Sequence, residues 1–572
     1  MNVNITKHFI KYKIPDSLNN QKMEDYCMPK KFTLQQQQQF LSELLSSSLS
    51  PFNNSDTRGI LIYHQIGSGK TCTAITIAEQ FKKKKNIIIV LPASLKGNFI
   101  GELISECTGN QYISQNDRKS LIKLKLGDKK YDYIIEKANK KINKYYTIYS
   151  YHKFIDLINL NKIKLNNTLL IIDEIQNMIS LNGMFYKSLL NIITKSNNTL
   201  KILLLSATPM FDKPIEIALT LNLLKINDTF IINKFNQDYI SKSGNNYKTI
   251  NLKKFKLKIN NLISYYRGAP PQTYPKMNFK TIKCCMSNFQ YKSYLSSLSS
   301  NNNTITGSFK NADILNMPQN FFLGPRMISN IAFPNKNIGE IGFSSFKDNA
   351  LLIKNIKKYS IKFYKMYKKI IKSIGNVFVY SNFKDYGGIK CFISFLEYHG
   401  WKNYIIYGEG PKRFAIWSGD ENDKIKNEIK YVFNNKINED GSKIKMILGT
   451  PSIKEGVSLL RIEQVHILEP YWNMSRIQQI LGRAVRFCSH KDIPKNRRFV
   501  DVYLYLSTLP CKISKTSNEK SIDQYIWSIA KKKNKLIQEF EICLKESAFD
   551  CNLFYNRNVY KNDEYKLTCK NK

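Results

Sequence analysis

Gly67-Ser68-Gly69-Lys70-Thr71 is the stretch of this chain whose residue types and spacing point most directly to chemistry. Glycines at 67 and 69 let the backbone approach an anion, with Ser68 between them. The amides of the loop and of the following helix start bind phosphate oxygens, Lys70 reaches the β and γ oxygens, and the Thr71 hydroxyl ligates magnesium. In one place the pattern departs from a usual phosphate loop: His64 stands where a first glycine is expected, five residues before Gly69. A plain glycine turn between a strand and a helix could read the same way, so the surroundings decide.

Those surroundings supply the rest of a phosphoryl-transfer site. Asp173 and Glu174 follow the apolar run Leu169-Leu170-Ile171-Ile172 and so emerge from a buried strand. There Asp173 can hold magnesium through water, and Glu174 can orient and deprotonate an attacking water; two solvated acids at a strand end are the bland alternative. Ser206 and Thr208 close another apolar run, Ile202 to Leu205, before Pro209 turns the chain. Their hydroxyls can relay the state of a γ-phosphate, or cap a helix start. Arg483 and Arg486 come after Gln479, and their spacing predicts one shared helix face. A planar, permanently charged guanidinium stabilises the negative charge that phosphoryl transfer spreads over the γ oxygens.

The elements that must hold these groups are legible as apolar runs. Residues 59–210 alternate short apolar runs with helical patterns, as βαβ units around a parallel sheet do. Strands are predicted at 59–63, 86–91, 147–150, 169–172 and 202–205, each ending where a motif begins, as ligand sites at the carboxyl ends of parallel strands require. A second α/β pattern predicts strands at 376–380, 402–407, 414–417, 445–449, 464–468 and 499–505. The fold class is therefore α/β with two tandem parallel-sheet lobes. Its expected divisions are an N-terminal extension (1–30), a first lobe (31–225), a connector with an insertion (226–345), a second lobe (346–510) and a helical extension (511–572). The connector is expected from Gly-Ala-Pro-Pro at 268–271, an Asn/Ser-rich stretch at 297–307 and a Pro/Asn cluster at 333–337. In the extension, Ile522, Ile526, Ile529, Leu536 and Phe540 recur as the buried face of an amphipathic helix.

Bulk properties narrow the partners. The 572 residues suit two or three domains, and 88 Lys+Arg against 44 Asp+Glu give a formal charge of +44, which favours a polyanion such as nucleic acid. An abundance of Asn, Ile, Lys and Tyr, as an AT-rich genome supplies, accounts for part of the lysine excess, so the charge does not locate a binding face. Eleven cysteines without a CxxC pair indicate neither a disulfide framework nor a zinc site, and point to a reducing compartment. The N-terminus lacks a secretory pattern and no long apolar run occurs, so no membrane partner is expected.

Taken in order, these motifs resemble the ATP engine of superfamily 2 helicases and translocases. Leu205-Ser206-Ala207-Thr208-Pro209-Met210, Lys454-Glu455-Gly456-Val457-Ser458-Leu459-Leu460 and Glu469-Pro470-Tyr471-Trp472-Asn473 resemble its Swi2/Snf2 side, whose members track along duplex DNA. From about Phe32 to about Leu506 the chain is similar to nucleoside triphosphate phosphohydrolase I and the small early transcription factor subunit of poxviruses and other large DNA viruses. His64, in Ile60-Leu61-Ile62-Tyr63-His64-Gln65, belongs to that likeness.

The resemblance implies two RecA-like lobes, ATP and Mg2+ as cofactors, and catalytic roles for Lys70, Asp173, Glu174, Gln479, Arg483 and Arg486. It implies a glutamine upstream of the phosphate loop that reads adenine, for which Gln38 is chosen among the five at 35–39. Contacts to a nucleic-acid backbone, or coupling to it, fall to Ser94, Ser150, Ser206, Thr208, Ser381 and Thr450. It further implies a DNA partner, with RNA as the alternative, viral RNA polymerase or transcription-factor subunits as protein partners, and residence in the virion and the host cytoplasm at the viral factory. Gln176, in place of a histidine after Asp-Glu-Ile, departs from the pattern. A rival of another class is a nonhydrolysing transcription-factor subunit, which the presence of Lys70, Thr71, Asp173, Glu174 and both arginines opposes.

Overall fold

The computed structural model describes every residue except 1, 17–21, 29–30, 125–127, 182, 245, 300–314, 316–321, 455–456, 517–518, 562 and 570–572. Most of the Asn/Ser-rich stretch at 297–307, and Glu455-Gly456 of the second-lobe motif, lie outside the described residues. The chain forms two compact units, one of Met1–Pro271 with Leu536–Lys572 and one of Gln272–Lys535.

In the first unit, strands β1 (Gly59–His64), β2 (Asn86–Leu91), β3 (Tyr146–Ser150), β4 (Thr168–Ile172) and β5 (Lys201–Ser206) form a parallel sheet. A hairpin of β6 (Ile240–Ser243) and β7 (Asn246–Thr249) stands apart from it, and β8 (Ile263–Tyr266) completes the order β3-β2-β4-β5-β1-β8. β1 and β4 are buried along their whole length, because helices cover both faces of a parallel sheet and leave no solvent side for polar residues. Phe40, Leu44, Ile75, Ile89, Ile171 and Leu203 share one core cluster with Phe549, Leu553 and Phe554 from the chain's last residues.

The second unit holds a seven-stranded sheet, also parallel. Its strands are β9 (Lys276–Cys285), β10 (Asn376–Tyr380), β11 (Lys402–Asn403), β12 (Arg413–Trp417), β13 (Met446–Gly449), β14 (Ile462–Ile467) and β15 (Phe499–Thr508), in the order β11-β12-β13-β10-β14-β15-β9. Alternation of side chains splits its core: Phe378 and Tyr380 pack on one face, Val377 and Val379 on the other. The helix Ile522–Glu546 forms as expected, with Ile522, Ile526, Ile529, Leu536 and Phe540 each no more than 2% exposed. Its residues up to Lys535 belong to the second unit and the remainder to the first.

Several expectations are corrected. The 226–345 stretch is not simply connector and insertion, since β8 closes the first sheet and β9 pairs with β15 over ten residues. β9 carries no strand signature because it is an exposed edge strand bearing Lys276, Lys280 and Lys283, as edges that avoid aggregation do. The strand expected at 402–407 ends at Asn403, whose side chain accepts from the Ile405 amide and starts a helical turn, Tyr404–Tyr407. The expectation of no disulfides also fails: Cys72 pairs with Cys107, Cys285 with Cys511 and Cys551 with Cys569, at Cα separations of 5.9, 5.4 and 5.6 Å. Two of these pairs join cysteines 35 and 226 residues apart, so tertiary structure and not motif spacing brings them together. No described helix is long and apolar enough to cross a membrane.

Candidate nucleotide site

β1 delivers the phosphate loop. Gly67 and Gly69 have φ of 83° and 76°, the left-handed region that glycine enters without strain, and Gly69 caps the helix Lys70–Phe81. A Cβ at Gly69 would lie 2.6 Å from the Gln38 side-chain nitrogen, so the loop is also closely packed. Gln38 Nε2 donates to the Gly69 carbonyl at 3.2 Å, and its Oε1 accepts from the Gln35 amide at 2.8 Å. Gln37, not singled out from the sequence, is fully buried and donates to the Ser68 carbonyl at 3.1 Å. In this structure the glutamine run therefore braces the loop. Its signal was hidden by five consecutive identical residues.

Lys70, Asp173 and Glu174 meet here. Lys70 Nζ lies 2.7 Å from Glu174 Oε1 and 3.5 Å from Asp173 Oδ1. Burial disfavours the Lys70 charge, but the two carboxylates outweigh it and its pKa rises; burial raises that of Asp173, against the pull of Lys70. Glu174 has φ of 51°, an uncommon conformation for a side chain of its size, and its amide donates to Asp173 Oδ1 at 2.9 Å. The Tyr151 hydroxyl lies 2.5 Å from the Asp173 carbonyl oxygen and 2.9 Å from that of Glu174, holding this turn. The Thr71 hydroxyl and the Asp173 carboxylate are hard oxygen donors of the kind magnesium takes, and the Ser68 hydroxyl is buried without a hydrogen-bond partner among the described residues. These residues fit a magnesium-bound triphosphate.

Gln176, a departure at the sequence level, is the link between two motifs. Its Nε2 donates to Glu174 Oε2 at 2.5 Å, while its Oε1 accepts from the Ser206 hydroxyl at 2.6 Å. Ser206 Oγ in turn accepts from the Thr208 amide at 3.0 Å. A continuous polar chain thus runs from Lys70 through Glu174, Gln176 and Ser206 to Thr208. The parallel sheet puts all of these at strand carboxyl ends, together with Ser94 after β2 and Ser150 at the end of β3. Ser94 is exposed, and Ser150 caps the helix Tyr151–Asn159.

In the second unit the helix Met474–Ala484 carries Gln479 and Arg483 one turn apart. The expectation that Arg486 shares this helix face is corrected, because the helix ends at Ala484 and Val485 leaves it with ψ of 84°. Arg483 and Arg486 converge nevertheless, their Nη1 atoms donating to the Val457 carbonyl at 3.4 and 3.3 Å. Ser381, buried, hydrogen-bonds both carboxylate oxygens of buried Glu469, at 3.1 and 3.0 Å. Thr450 Oγ1 donates to the Trp417 carbonyl at 3.4 Å. Both hydroxyls are engaged inside the unit, so neither stands out toward a phosphate backbone.

The chain is similar to known helicases. The DEAD/DEAH box helicase family matches residues 35–217, and the helicase conserved C-terminal domain matches residues 362–488. A protein of Acanthamoeba polyphaga mimivirus, named "Putative ATP-dependent RNA helicase", is 47% identical over 566 residues, covering 98% of this chain and 96% of its own. The "Termination factor NPH-I homolog" of African swine fever virus is 27% identical over 575 residues, covering 87% and 76%. The solved Sulfolobus solfataricus SWI2/SNF2 ATPase core in complex with dsDNA aligns over 84% of this chain and 92% of that one, at 15% identity and a TM-score of 0.29.

Proposed function

This chain belongs to the DEAD/DEAH box helicases, as an ATP-hydrolysing enzyme of superfamily 2 type, and from that premise we propose that it is a DNA-dependent ATPase that moves along DNA during viral transcription. The observation that carries the coupling is the polar chain from Lys70 to Thr208. Any shift of Glu174 on triphosphate binding changes the position of Gln176 and hence of the loop after β5.

In this reading Lys70 and the amides at 67–71 hold the phosphates, and Thr71 and Asp173 hold Mg2+, which supplies charge neutralisation when bound. Glu174 orients and deprotonates the attacking water. Arg483 and Arg486 stabilise the charge that develops on the γ oxygens, with Gln479 beside them. Ser94, Ser150 and the Ser206–Thr208 loop answer to the nucleic acid at the strand ends. The formal charge of +44 supports a polyanionic track, and the African swine fever virus relative named as a termination factor homolog supports a place in transcription. Partners are then DNA and viral RNA polymerase or transcription-factor subunits, and the site of action is the virion and the host cytoplasm.

A second reading, an ATP-dependent RNA helicase, is favoured by the name of the mimivirus relative. Steady-state ATP hydrolysis with duplex DNA, single-stranded DNA or RNA separates the two. The DNA reading expects duplex DNA to stimulate most, and stimulation by RNA alone would replace it with the second.

A further inference from the structure

Behind the phosphate loop lies a buried polar chain that phosphate binding itself does not explain. His64, the residue in place of the loop's first glycine, is fully buried at the end of β1. Its Nε2 lies 3.0 Å from the Ser264 hydroxyl on the neighbouring edge strand β8, and Ser264 Oγ donates to Asp550 Oδ2 at 2.5 Å. Asp550 Oδ1 accepts from the Tyr265 amide at 2.9 Å, and all three side chains have no measurable exposure. The same C-terminal residues clasp β8 elsewhere: the Phe549 amide donates to the Ile263 carbonyl, and Asn558 Oδ1 accepts from the Arg267 amide at 2.8 Å. β8 in turn holds the loop, its Tyr266 carbonyl accepting from the Gln65 amide at 3.0 Å.

We propose that Asp550 and Ser264 are positioning residues for ATP binding, acting on the phosphate loop through His64, so that the residues after 536 are a working part of the ATP site. The proposal rests on the reading of residues 67–71 as the triphosphate cradle.

The donors and acceptors along this chain set its direction. An ionised Asp550 can only accept, so Ser264 donates to it and accepts from His64 Nε2–H, which leaves Nδ1 as a lone pair. That Nδ1 is buried and has no hydrogen-bond partner among the described residues. When one proton enters at Oδ2, since Oδ1 already holds the Tyr265 amide, the carboxyl donates to Ser264 Oγ, which then accepts from both Asp550 and His64 Nε2–H and no longer donates to a carboxylate, and the net uptake is one proton. Burial pushes Asp550 up to about 7, in contact with Ser264 and the Tyr265 amide. Burial, with the Lys70 charge adding to it, holds His64 down to about 3, so the ring stays neutral and keeps its Nε2 proton. The Tyr266 ring, 5.8 Å away, is the aromatic neighbour on β8.

The test is ATP hydrolysis by the full chain with saturating nucleic acid, read as KM and kcat separately from about pH 6 to 8. Ser264→Ala is expected to raise the KM for ATP about tenfold with kcat within about twofold, and Ser264→Thr, which keeps the hydroxyl, to restore it. Asp550→Asn places a permanent donor against Ser264, so its KM is expected to lose the pH step that the wild type shows relative to Ser264→Ala. Unchanged KM in a folded Ser264→Ala overturns the proposal. If Ser264→Ala does not fold, Asp550→Asn decides, and a KM profile matching the wild type overturns it. Lys70→Ala separates the premise: if it turns over ATP normally, the cradle reading falls, whereas loss of turnover there with a normal Ser264→Ala removes the relay alone.

Discussion

Replacing Gln176 by alanine cuts the polar chain at its centre. The side chain is 6% exposed and links Glu174 Oε2, at 2.5 Å, to the Ser206 hydroxyl, at 2.6 Å. Lys70 still holds Glu174 Oε1 in the variant, so the carboxylate stays in the site with one anchor lost. A hydrogen bond to a charged group contributes about 1.5–3 kcal/mol, and each 1.4 kcal/mol is tenfold, so the largest loss in kcat is about 10- to 150-fold. The Ser206 hydroxyl loses its acceptor inside the protein, which costs a further ~1–3 kcal/mol of stability. If the chain carries coupling, nucleic-acid stimulation falls more than basal turnover does. The assay is ATP hydrolysis with and without saturating duplex DNA, accompanied by thermal melting. A Gln176→Ala protein whose stimulation ratio stays within about twofold of wild type refutes the reasoning, because the coupling would then bypass this residue.

Three further outcomes follow from the same geometry. Lys70→Ala and Glu174→Gln abolish ATP turnover while the circular dichroism spectrum and melting temperature stay close to wild type; normal steady-state hydrolysis in either contradicts the catalytic assignment. Stimulation by DNA weakens by about tenfold or more between about 50 and 200 mM salt, because phosphate contacts release counterions, and a flat salt titration contradicts a backbone-tracking mode. Burial pushes Glu216 up to about 7, where it accepts from the Phe211 and Asp212 amides. A raised carboxyl contributes stability that is complete below its unfolded pKa and lost as pH rises through the folded one. Urea melts should therefore show wild type losing stability relative to Glu216→Gln between about pH 4 and 7, by up to about 3 kcal/mol; a difference that does not change with pH contradicts the burial argument.

What could be read from the sequence was what local pattern encodes. Strands such as Leu169-Leu170-Ile171-Ile172 announce themselves because a parallel strand buried on both faces is continuously apolar, and the catalytic residues follow them directly. The face of the helix Ile522–Glu546 was legible for the same reason. Features made by distant partners were not. β8 is four residues long and β9 is laced with lysines, so neither carries a strand's usual signature. Arg483 and Arg486 were read as helix neighbours by spacing, yet the Val457 carbonyl brings them together. Gln176 is a mismatch within its own motif, and only its contact with Ser206, thirty residues on, gives it a role. Asp550 and cysteine pairs such as Cys72–Cys107 and Cys285–Cys511 are invisible without tertiary structure, since nothing in their own neighbourhoods hints at their partners.

The most direct measurement is the steady-state rate of ATP hydrolysis by the wild-type chain as duplex DNA is titrated in with magnesium present. A rate that climbs with DNA to a plateau, and a Lys70→Ala protein that stays at background throughout, is the predicted result. Hydrolysis that ignores added nucleic acid, or that persists without Lys70, contradicts the account.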